Sequence, residues 1–204
     1  MWRFLRILAF PISLIYAFVV HLRNRFYDWG WLSSKSYEVQ TICVGNLSVG
    51  GTGKTPMIEY LIRLLNEKKL AVLSRGYKRI SEGFVLADSK SSIADLGDEP
   101  FQIYQKFPET QVAVDTNRQN GIQNLMEQYN PEMILLDDAF QHRKVTPTFS
   151  ILLTTYSKLY VDDWYLPTGN LRDSKKESRR ANIIVVTKCP ANISLKRGLK
   201  LFPN

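Results

Sequence analysis

Residues 44–56 read VGNLSVGGTGKTP and decide the fold of this 204-residue chain. The stretch combines four glycines with a lysine and a threonine, between an apolar run and an amphipathic segment. Glycines let backbone N–H groups approach phosphate oxygens, and a helix start adds partial positive charge. The pattern matches G-x-x-x-x-G-K-[ST], whose lysine binds terminal phosphates and whose hydroxyl binds Mg²⁺, except that Ser48 replaces the first glycine. The predicted phosphate cradle comprises Ser48, Val49, Gly50, Gly51, Thr52, Gly53, Lys54 and Thr55.

Short apolar segments alternate with helical ones along the rest of the chain. Strands are predicted at residues 37–44, 70–74, 111–115, 133–137, 150–154 and 182–187, and helices at 54–68 and 117–129. Such alternation predicts an α/β fold with a mostly parallel sheet and helices on both faces. Because the glycine-rich stretch lies between a strand and a helix, the fold is expected to be P-loop NTPase-like. A glycine-rich turn with an incidental lysine is the alternative. The polar residues 78–97 predict a loop or small hairpin.

Two adjacent acids follow the apolar run MILL. A P-loop usually works with a carboxylate at the end of another strand, which holds the water shell of the metal. Asp137 and Asp138 occupy that place, and two acids at the end of a buried strand cost desolvation unless a cation is near. Together with Thr55 they predict a metal site, and a solvated turn with an N-cap aspartate is the alternative. Gln141 and His142 follow on the same loop.

Three further segments carry groups that suit a ligand crevice. LSRGYKR places Arg75 and Tyr77 after a strand, and the carboxyl ends of parallel strands face the ligand. In LGDEP, Asp98 lies close before a proline, so spacing alone predicts that Asp98 is a helix N-cap. In LPTGNLRDSKKESRR, Arg172 has two interpretations, a phosphate contact or part of a solvated charged face.

The composition describes a folded, basic protein. Hydrophobic residues make up 45% of the chain, which predicts a globular core rather than disorder. Lysine and arginine number 27 against 19 acids, and the formal charge of +8 favours anionic partners such as nucleotides, nucleic acid or an acidic membrane surface. Cys43 and Cys189 are far apart and lack metal-ligand spacing, so reduced thiols and a cytosolic location are expected.

The N-terminal segment is the most apolar and aromatic part of the chain. Its apolar core, residues 7–20, would span about 21 Å as a helix, less than the roughly 30 Å hydrocarbon core of a bilayer. His21 and Arg25 follow this core, where a secretory signal would need a small-residue cleavage site. We predict a membrane-associated helix that lies in the cytoplasmic leaflet, with a kink at Pro11. A helix packed on the domain is the alternative.

Taken in order, the motifs resemble those of the tetraacyldisaccharide 4'-kinase family of lipid A biosynthesis. They are GNLSVGGTGKTP, LSRGYKR, GDEP, DDAFQHR, LPTGNLRD and VVTK. An apolar N-terminal helix is also typical of this family. The resemblance runs from the first residue to about Cys189, and the combination is far more specific than the P-loop alone. Two positions depart from the family pattern: Ala139 stands where glycine is favoured, and Asp173 where glutamate is commoner.

The resemblance implies that ATP, with Mg²⁺, donates its γ-phosphate to the 4'-hydroxyl of a tetraacyldisaccharide 1-phosphate. This acylated lipid would lie in the cytoplasmic leaflet of the bacterial inner membrane, and no nucleic acid or protein partner is implied. Asp98 is implied to take the proton of the sugar hydroxyl, and Arg172 to contact the γ-phosphate. The implied catalytic residues are Lys54, Asp98, Asp138 and Arg172. The implied metal residues are Thr55, Asp137 and Asp138, and the implied contacts to the lipid head are Arg75, Tyr77, Arg118, Gln141 and His142.

The resemblance also divides the chain into an N-terminal membrane-associated helix, residues 1–31, and a P-loop kinase domain, residues 32–204. Family members continue into a smaller second domain, from which a histidine is implied to pair with Asp98, so the C-terminal portion is expected to be missing. A membrane-associated module that binds ATP without transfer is the alternative. A GTPase is disfavoured because Pro190 replaces the aspartate that would read guanine. A nucleic-acid kinase would leave the apolar N-terminal segment unexplained.

Overall fold

The structure is a computed structural model that describes residues 6–191, so the outer ends of the two predicted domains lie outside the described residues. Its helices are α1 (Phe10–Asp28), α2 (Lys54–Leu64), α3 (Ile93–Leu96), α4 (Asp98–Lys106) and α5 (Arg118–Gln128). Its strands are β1 (Gln40–Asn46), β2 (Leu70–Ser74), β3 (Val85–Leu86), β4 (Gln111–Val114), β5 (Met133–Asp137), β6 (Phe149–Thr155) and β7 (Ile183–Thr187). Two 3₁₀ helices, Tyr160–Asp162 and Lys175–Arg180, lie between β6 and β7.

Seven strands form one sheet in the order β3-β4-β2-β5-β1-β6-β7. All neighbouring strands are parallel except β3, which pairs antiparallel with β4. The predicted α/β fold with a mostly parallel sheet is therefore confirmed. The register of β1 on β5 aligns Val44 with Asp137, so the P-loop and the paired acids leave the same edge of the sheet.

Helices cover both faces of the sheet, as predicted. Side chains alternate across a strand, so the neighbours Val72 and Leu73 of β2 point to opposite faces. Val72 belongs to the apolar cluster that contains Ile58 of α2, and Leu73 to the cluster that contains Ile122 of α5. All four are fully buried, and each such burial stabilises the fold by about 1.5–3 kcal/mol. Burial on both faces is why these strands appear in the sequence as continuous apolar runs.

Helix α1 presents polar side chains to the domain and apolar side chains away from it. Its buried residues are Ser13, Val20 and Asn24, so two of the three are polar. Seven hydrophobic side chains in and just before α1 are more than half exposed: Ile7, Leu8, Ile12, Leu14, Ile15, Phe18 and Val19. Within residues 6–191, no helix combines the length and the hydropathy needed to cross a bilayer. Hydrogen bonds, more than apolar burial, therefore hold α1 on the domain.

Some local predictions differ from the structure. Pro11 lies in the first turn of α1, where a proline needs no intrahelical N–H bond. Residues 6–8 are also helical and a turn at Ala9 separates them from α1, so the helical stretch is interrupted close to the predicted kink. The predicted N-cap Asp98 is instead the first residue of α4, and Gly97 is the N-cap with φ at +88°. Residues 78–97, predicted as a loop or hairpin, supply both β3, which pairs with β4, and the short helix α3.

Candidate functional site

The P-loop is held by side-chain hydrogen bonds from residues at the ends of β1 and β7. Asn46, the last residue of β1, donates from Nδ2 to Thr52 Oγ1 at 2.8 Å. Thr187, the last residue of β7, donates from Oγ1 to the Thr52 carbonyl at 2.8 Å, and Lys188 donates from Nζ to the Gly51 carbonyl at 2.7 Å. Because these bonds fix the loop backbone, its N–H groups are oriented before any ligand arrives.

Helix α2 begins directly at the P-loop lysine. Gly53 is its N-cap with φ at +88°, a left-handed conformation that glycine adopts without the Cβ penalty of other residues. Lys54 and Thr55 are therefore the first two helical residues, and their N–H groups belong to the set that has no partner within a helix. A helix start with glycines before it is a natural anion-binding position.

Asp138 joins the P-loop lysine to the predicted arginine. The Arg172 guanidinium makes two bonds to its carboxylate, at 2.7 Å and 3.1 Å, and Lys54 Nζ lies 3.7 Å from it. Burial opposes ionisation of Asp138, but the hydrogen bond and charge of Arg172, with Lys54, hold its pKa below the usual range. Asp138 also has φ at +47°, which aspartate tolerates better than most residues. Two cations and one carboxylate thus face each other beside the P-loop.

Asp137 lies deeper, at the end of β5, with only 2% of its surface exposed. Its Oδ2 accepts a 3.0 Å hydrogen bond from Ser74 at the end of β2, while its Oδ1 is buried and has no hydrogen-bond partner among residues 6–191. Burial, with Glu99 and Asp138 nearby, raises the pKa of Asp137 to about 6. A buried carboxylate with an unpartnered oxygen is a position that a cation or its water would stabilise.

These groups line one cleft of about 470 Å³. Its rim carries Arg75, Tyr77 and Asp98, and the Tyr77 side chain is 74% exposed. Gly97 lets the start of α4 lie close to Tyr77, because a Cβ at this position would lie 2.8 Å from the Tyr77 carbonyl oxygen. The full lining consists of Val49, Gly50, Lys54, Ser74, Arg75, Tyr77, Asp98, Glu99, Pro100, Asp137, Asp138 and Arg172.

Three of the implied lipid-head contacts lie outside this lining. Arg118 is only 2% exposed and donates to the carbonyls of Asp115 and Asp137, so it supports the cleft from below and does not reach its surface. Gln141 donates from its side-chain amide to the Asn46 carbonyl. Burial, with the charge of Arg118, lowers the pKa of His142 to about 4, so this imidazole is neutral at neutral pH. A direct lipid contact by Arg118 is therefore not supported by the geometry.

The segment before β7 connects the site to α1. We call residues 163–174 the strap. On the site side, Val49 donates its N–H to the Asn170 carbonyl at 2.8 Å, and Arg172 donates its N–H to the Leu47 carbonyl at 2.7 Å. The strap thus pairs with the P-loop backbone and delivers the Arg172 side chain to Asp138.

On its other side, the strap is bonded to the polar face of α1. Asn24 donates from Nδ2 to Asp173 Oδ1 at 2.7 Å, and Tyr16 donates its hydroxyl to the Arg172 carbonyl at 3.0 Å. Ser13 Oγ lies 2.8 Å from Thr168 Oγ1. Sequence reasoning missed these contacts and the role of Asn46. The available signal was Ser13, a polar residue within the apolar residues 7–20, whereas Asn24 lies in the basic stretch that follows and gave no such signal.

Fold and site together define an α/β protein with a P-loop at the carboxyl edge of a parallel sheet, opposite paired acids and an arginine. The model of the LpxK family, described as tetraacyldisaccharide-1-P 4'-kinase, matches residues 5–200. The chain therefore belongs to this family.

Individual relatives are similar over nearly the whole chain. The tetraacyldisaccharide 4'-kinase of Flavobacterium johnsoniae is 62% identical over 199 residues, which cover 97% of this chain and 58% of that protein. The enzyme of the same name from Bacteroides thetaiotaomicron is 53% identical, over 95% of this chain and 53% of its own length. The crystal structure of LpxK from Aquifex aeolicus in complex with ATP has a TM-score of 0.85 at 41% identity, and the match covers 90% of this chain and 59% of that one. The chain spans about half the length of the curated relatives it matches.

Proposed function

We propose that this chain transfers the γ-phosphate of ATP to the 4'-hydroxyl of a tetraacyldisaccharide 1-phosphate, a step of lipid A biosynthesis. The observation that carries this proposal is the cleft itself, in which Lys54, Asp138 and Arg172 lie together beneath a rim that carries Asp98. Phosphoryl transfer depends mainly on alignment and charge neutralisation, and this cleft offers both. The 41%-identical LpxK structure, which is a complex with ATP, supports the choice of nucleotide.

The terminal phosphates of ATP would replace Asp138 as the partner of the two cations. In the structure, the Asp138 carboxylate accepts hydrogen bonds from Arg172 and forms an ion pair with Lys54 at 3.7 Å. A phosphate offers more charge and more acceptor oxygens, and a guanidinium binds it in bidentate fashion. The N–H groups at the start of α2, those of Lys54 and Thr55 among them, would bind the remaining oxygens.

Mg²⁺ fits the residues at the end of β5. No group of three or more histidine, cysteine or acidic side chains suited to a metal occurs within residues 6–191. Mg²⁺ needs no such group, because it keeps several waters and takes further oxygens from substrate phosphates. The unpartnered Oδ1 of Asp137 and the hydroxyl of Thr55 would hold the ion or its waters, with Asp138 beside them. When bound, the ion neutralises charge on the transferring phosphate.

The rim of the cleft would receive the acceptor. Asp98 is exposed at the N-terminus of α4, within a cleft that also contains the P-loop lysine. A carboxylate in this position can take the proton of a sugar hydroxyl as that hydroxyl attacks phosphorus. The aromatic ring and hydroxyl of Tyr77 would contact the sugar of the acceptor. The Arg75 guanidinium would bind the phosphate of the acceptor.

We further infer that α1 brings the domain to the cytoplasmic face of the inner membrane. The apolar face of α1 is exposed along its length, and its inner face is polar and hydrogen-bonded to the domain. A helix in this orientation can bury its apolar side in the interfacial region of a bilayer without crossing it. The acylated acceptor would reside in the same leaflet.

A transfer assay with γ-labelled ATP, Mg²⁺ and detergent-dispersed tetraacyldisaccharide 1-phosphate tests the proposal. The wild-type chain should label the lipid, and Lys54→Ala and Asp98→Ala should each lower the rate about 100-fold or more. Lys54→Ala should also weaken ATP binding, whereas Asp98→Ala should leave it intact.

Lys68→Ala is the matched control, because Lys68 is an exposed lysine whose ion pair with Glu132 is also exposed. Its transfer rate should equal that of the wild type. ATP binding that depends on Lys54 without any label on the lipid would contradict the kinase proposal and leave an ATP-binding module.

A further inference from the structure

A basic cavity of about 350 Å³ lies between the C-terminal half of α1 and the 3₁₀ helix Lys175–Arg180. It shares no lining residue with the catalytic cleft. Five cationic side chains line it, against two carboxylates, and they are Arg25, Arg143, Lys176, Arg179 and Arg180. The proposed reaction does not use this cavity. A ligand bound in it would therefore take no part in phosphate transfer.

The two carboxylates are already occupied by two of the cations. Arg143 bonds to Asp28 at 2.7 Å and lies 3.4 Å from Glu177. Arg180 bonds to the same Glu177 at 2.6 Å. These pairs form the inner wall of the cavity and leave it no further negative charge.

Three cations remain without an acidic partner. Arg25, Lys176 and Arg179 are exposed, and none has a carboxylate within salt-bridge distance in the part of the chain described here. The Arg25 guanidinium lies over the Trp29 ring, 5.9 Å from its centroid. An anion with several oxygens would satisfy all three cations at once.

The cavity continues the exposed apolar face of α1. Leu14, Phe18, His21 and Arg25 follow the spacing of one helix face, at i, i+4, i+7 and i+11. Leu14 and Phe18 are 56% and 66% exposed. One side of the helix thus passes from an apolar surface to a cluster of unpaired positive charge, which is the polarity profile of a lipid from acyl chain to headgroup.

We propose that this cavity binds the phosphate of an acidic phospholipid of the bilayer, whose acyl chains lie along Leu14 and Phe18. The site rests on the proposed membrane association of α1 and adds a headgroup specificity to it. A lipid held here leaves the catalytic cleft open for the acceptor, because the two cavities have separate linings.

Vesicle co-sedimentation of the full chain tests the site. The double variant Lys176→Gln with Arg179→Gln should bind phosphatidylcholine vesicles as the wild type does. On vesicles that also contain phosphatidylglycerol, it should bind about 30-fold more weakly than the wild type, which corresponds to two charges near an anionic surface. Thermal unfolding of the same samples confirms that the variant is folded.

The matched control is Lys68→Gln with Lys90→Gln, which removes two exposed cations that do not line the cavity. It should lower anionic binding by no more than about twofold at moderate salt. Equal losses in both double variants would overturn the site in favour of diffuse attraction. Unchanged vesicle binding with a raised KM for the lipid acceptor would instead assign the cavity to the acceptor's own phosphate. Failure of every form to bind neutral vesicles would refute the membrane association itself.

Discussion

At the scale of single residues, Asp137 shows that a preformed cation site lowers the stability of the ligand-free chain. Its carboxyl group is almost fully buried, and it accepts a side-chain hydrogen bond from Ser74. Burial, followed by the charges of Glu99 and Asp138, raises its pKa to about 6 from 3.8. The folded chain therefore holds this proton more tightly than the unfolded chain does, and ionising Asp137 lowers the free energy of unfolding.

Replacement of Asp137 by asparagine should therefore stabilise the ligand-free chain at neutral pH. The cost of ionisation is fully present above about pH 6 and absent below about pH 4, so Asp137→Asn should gain up to about 3 kcal/mol near neutrality and nothing in acid. Urea denaturation across this range, with chelator and without nucleotide, measures the difference. Asp162→Asn, at an exposed acid, should change little. A gain that is independent of pH would show that packing, not ionisation, is responsible.

Gly97 is the second residue whose identity the site requires. Its φ is +88°, and a Cβ there would approach the Tyr77 carbonyl oxygen to 2.8 Å. Gly97→Ala should cost about 1–3 kcal/mol of stability and should lower transfer by displacing Tyr77 and Asp98.

Gly83→Ala is the control for backbone conformation alone. Gly83 also has a positive φ, +66°, but nothing lies within 4 Å of its added Cβ. It should lose about 1 kcal/mol of stability and keep the wild-type rate. Equal rates for the two alanine variants would mean that the contact at Gly97 does not position the rim.

At the scale of elements, α1 and the strap act as one assembly. The polar face of α1 bonds to the strap, the strap pairs with the P-loop backbone, and its Arg172 reaches Asp138. The helix that we expect at the membrane is thus hydrogen-bonded directly to Arg172, through the Tyr16 hydroxyl. Displacement of α1 would therefore move Arg172, which we propose contacts the γ-phosphate.

The variant Asn24→Ala tests this connection between α1 and the strap. Asn24 is 3% exposed and Asp173 1%, so Asn24→Ala would leave a buried carboxylate with one donor fewer. We expect a loss of about 2–3 kcal/mol in the free energy of unfolding and, at temperatures where the chain stays folded, a lower kcat with little change in the KM for ATP. Asn66→Ala, at an exposed asparagine, is the control. A normal kcat in the folded Asn24 variant would show that the contact serves stability alone.

Sequence patterns predicted the elements whose signals are local. The P-loop, the central strands and the helix after β1 are each encoded in a few neighbouring residues, and the structure confirms them. The strand order and the strap contacts could not be predicted in this way, because they join residues such as Asn24 and Asp173 that are far apart in sequence. Arg118 shows the same limit, since the family resemblance implied a ligand contact and only tertiary packing shows it buried.

At the scale of the whole molecule, the surface of α1 differs from an ordinary amphipathic surface helix. Such a helix turns its apolar stripe towards the core. Here that stripe is exposed, and Ile15 and Phe18 are each 66% exposed. Exposed apolar patches of this extent are typical of membrane or protein interaction sites. The positive net charge of the chain would add attraction to an anionic leaflet.

Polar substitution on this face should separate membrane binding from nucleotide binding. Ile15→Gln with Phe18→Gln should weaken binding to phosphatidylcholine vesicles at least about tenfold, because each apolar side chain contributes roughly 1.5–3 kcal/mol when fully buried. ATP binding should be unchanged, since neither residue lines the catalytic cleft.

Tyr60→Gln with Leu64→Gln is the matched control, because these α2 side chains are 57% and 60% exposed but lie outside α1. If both double variants lose vesicle binding equally, general surface hydrophobicity and not α1 brings the chain to the bilayer. If only the α1 variant loses it, the membrane contact lies on the helix that also holds the strap of Arg172.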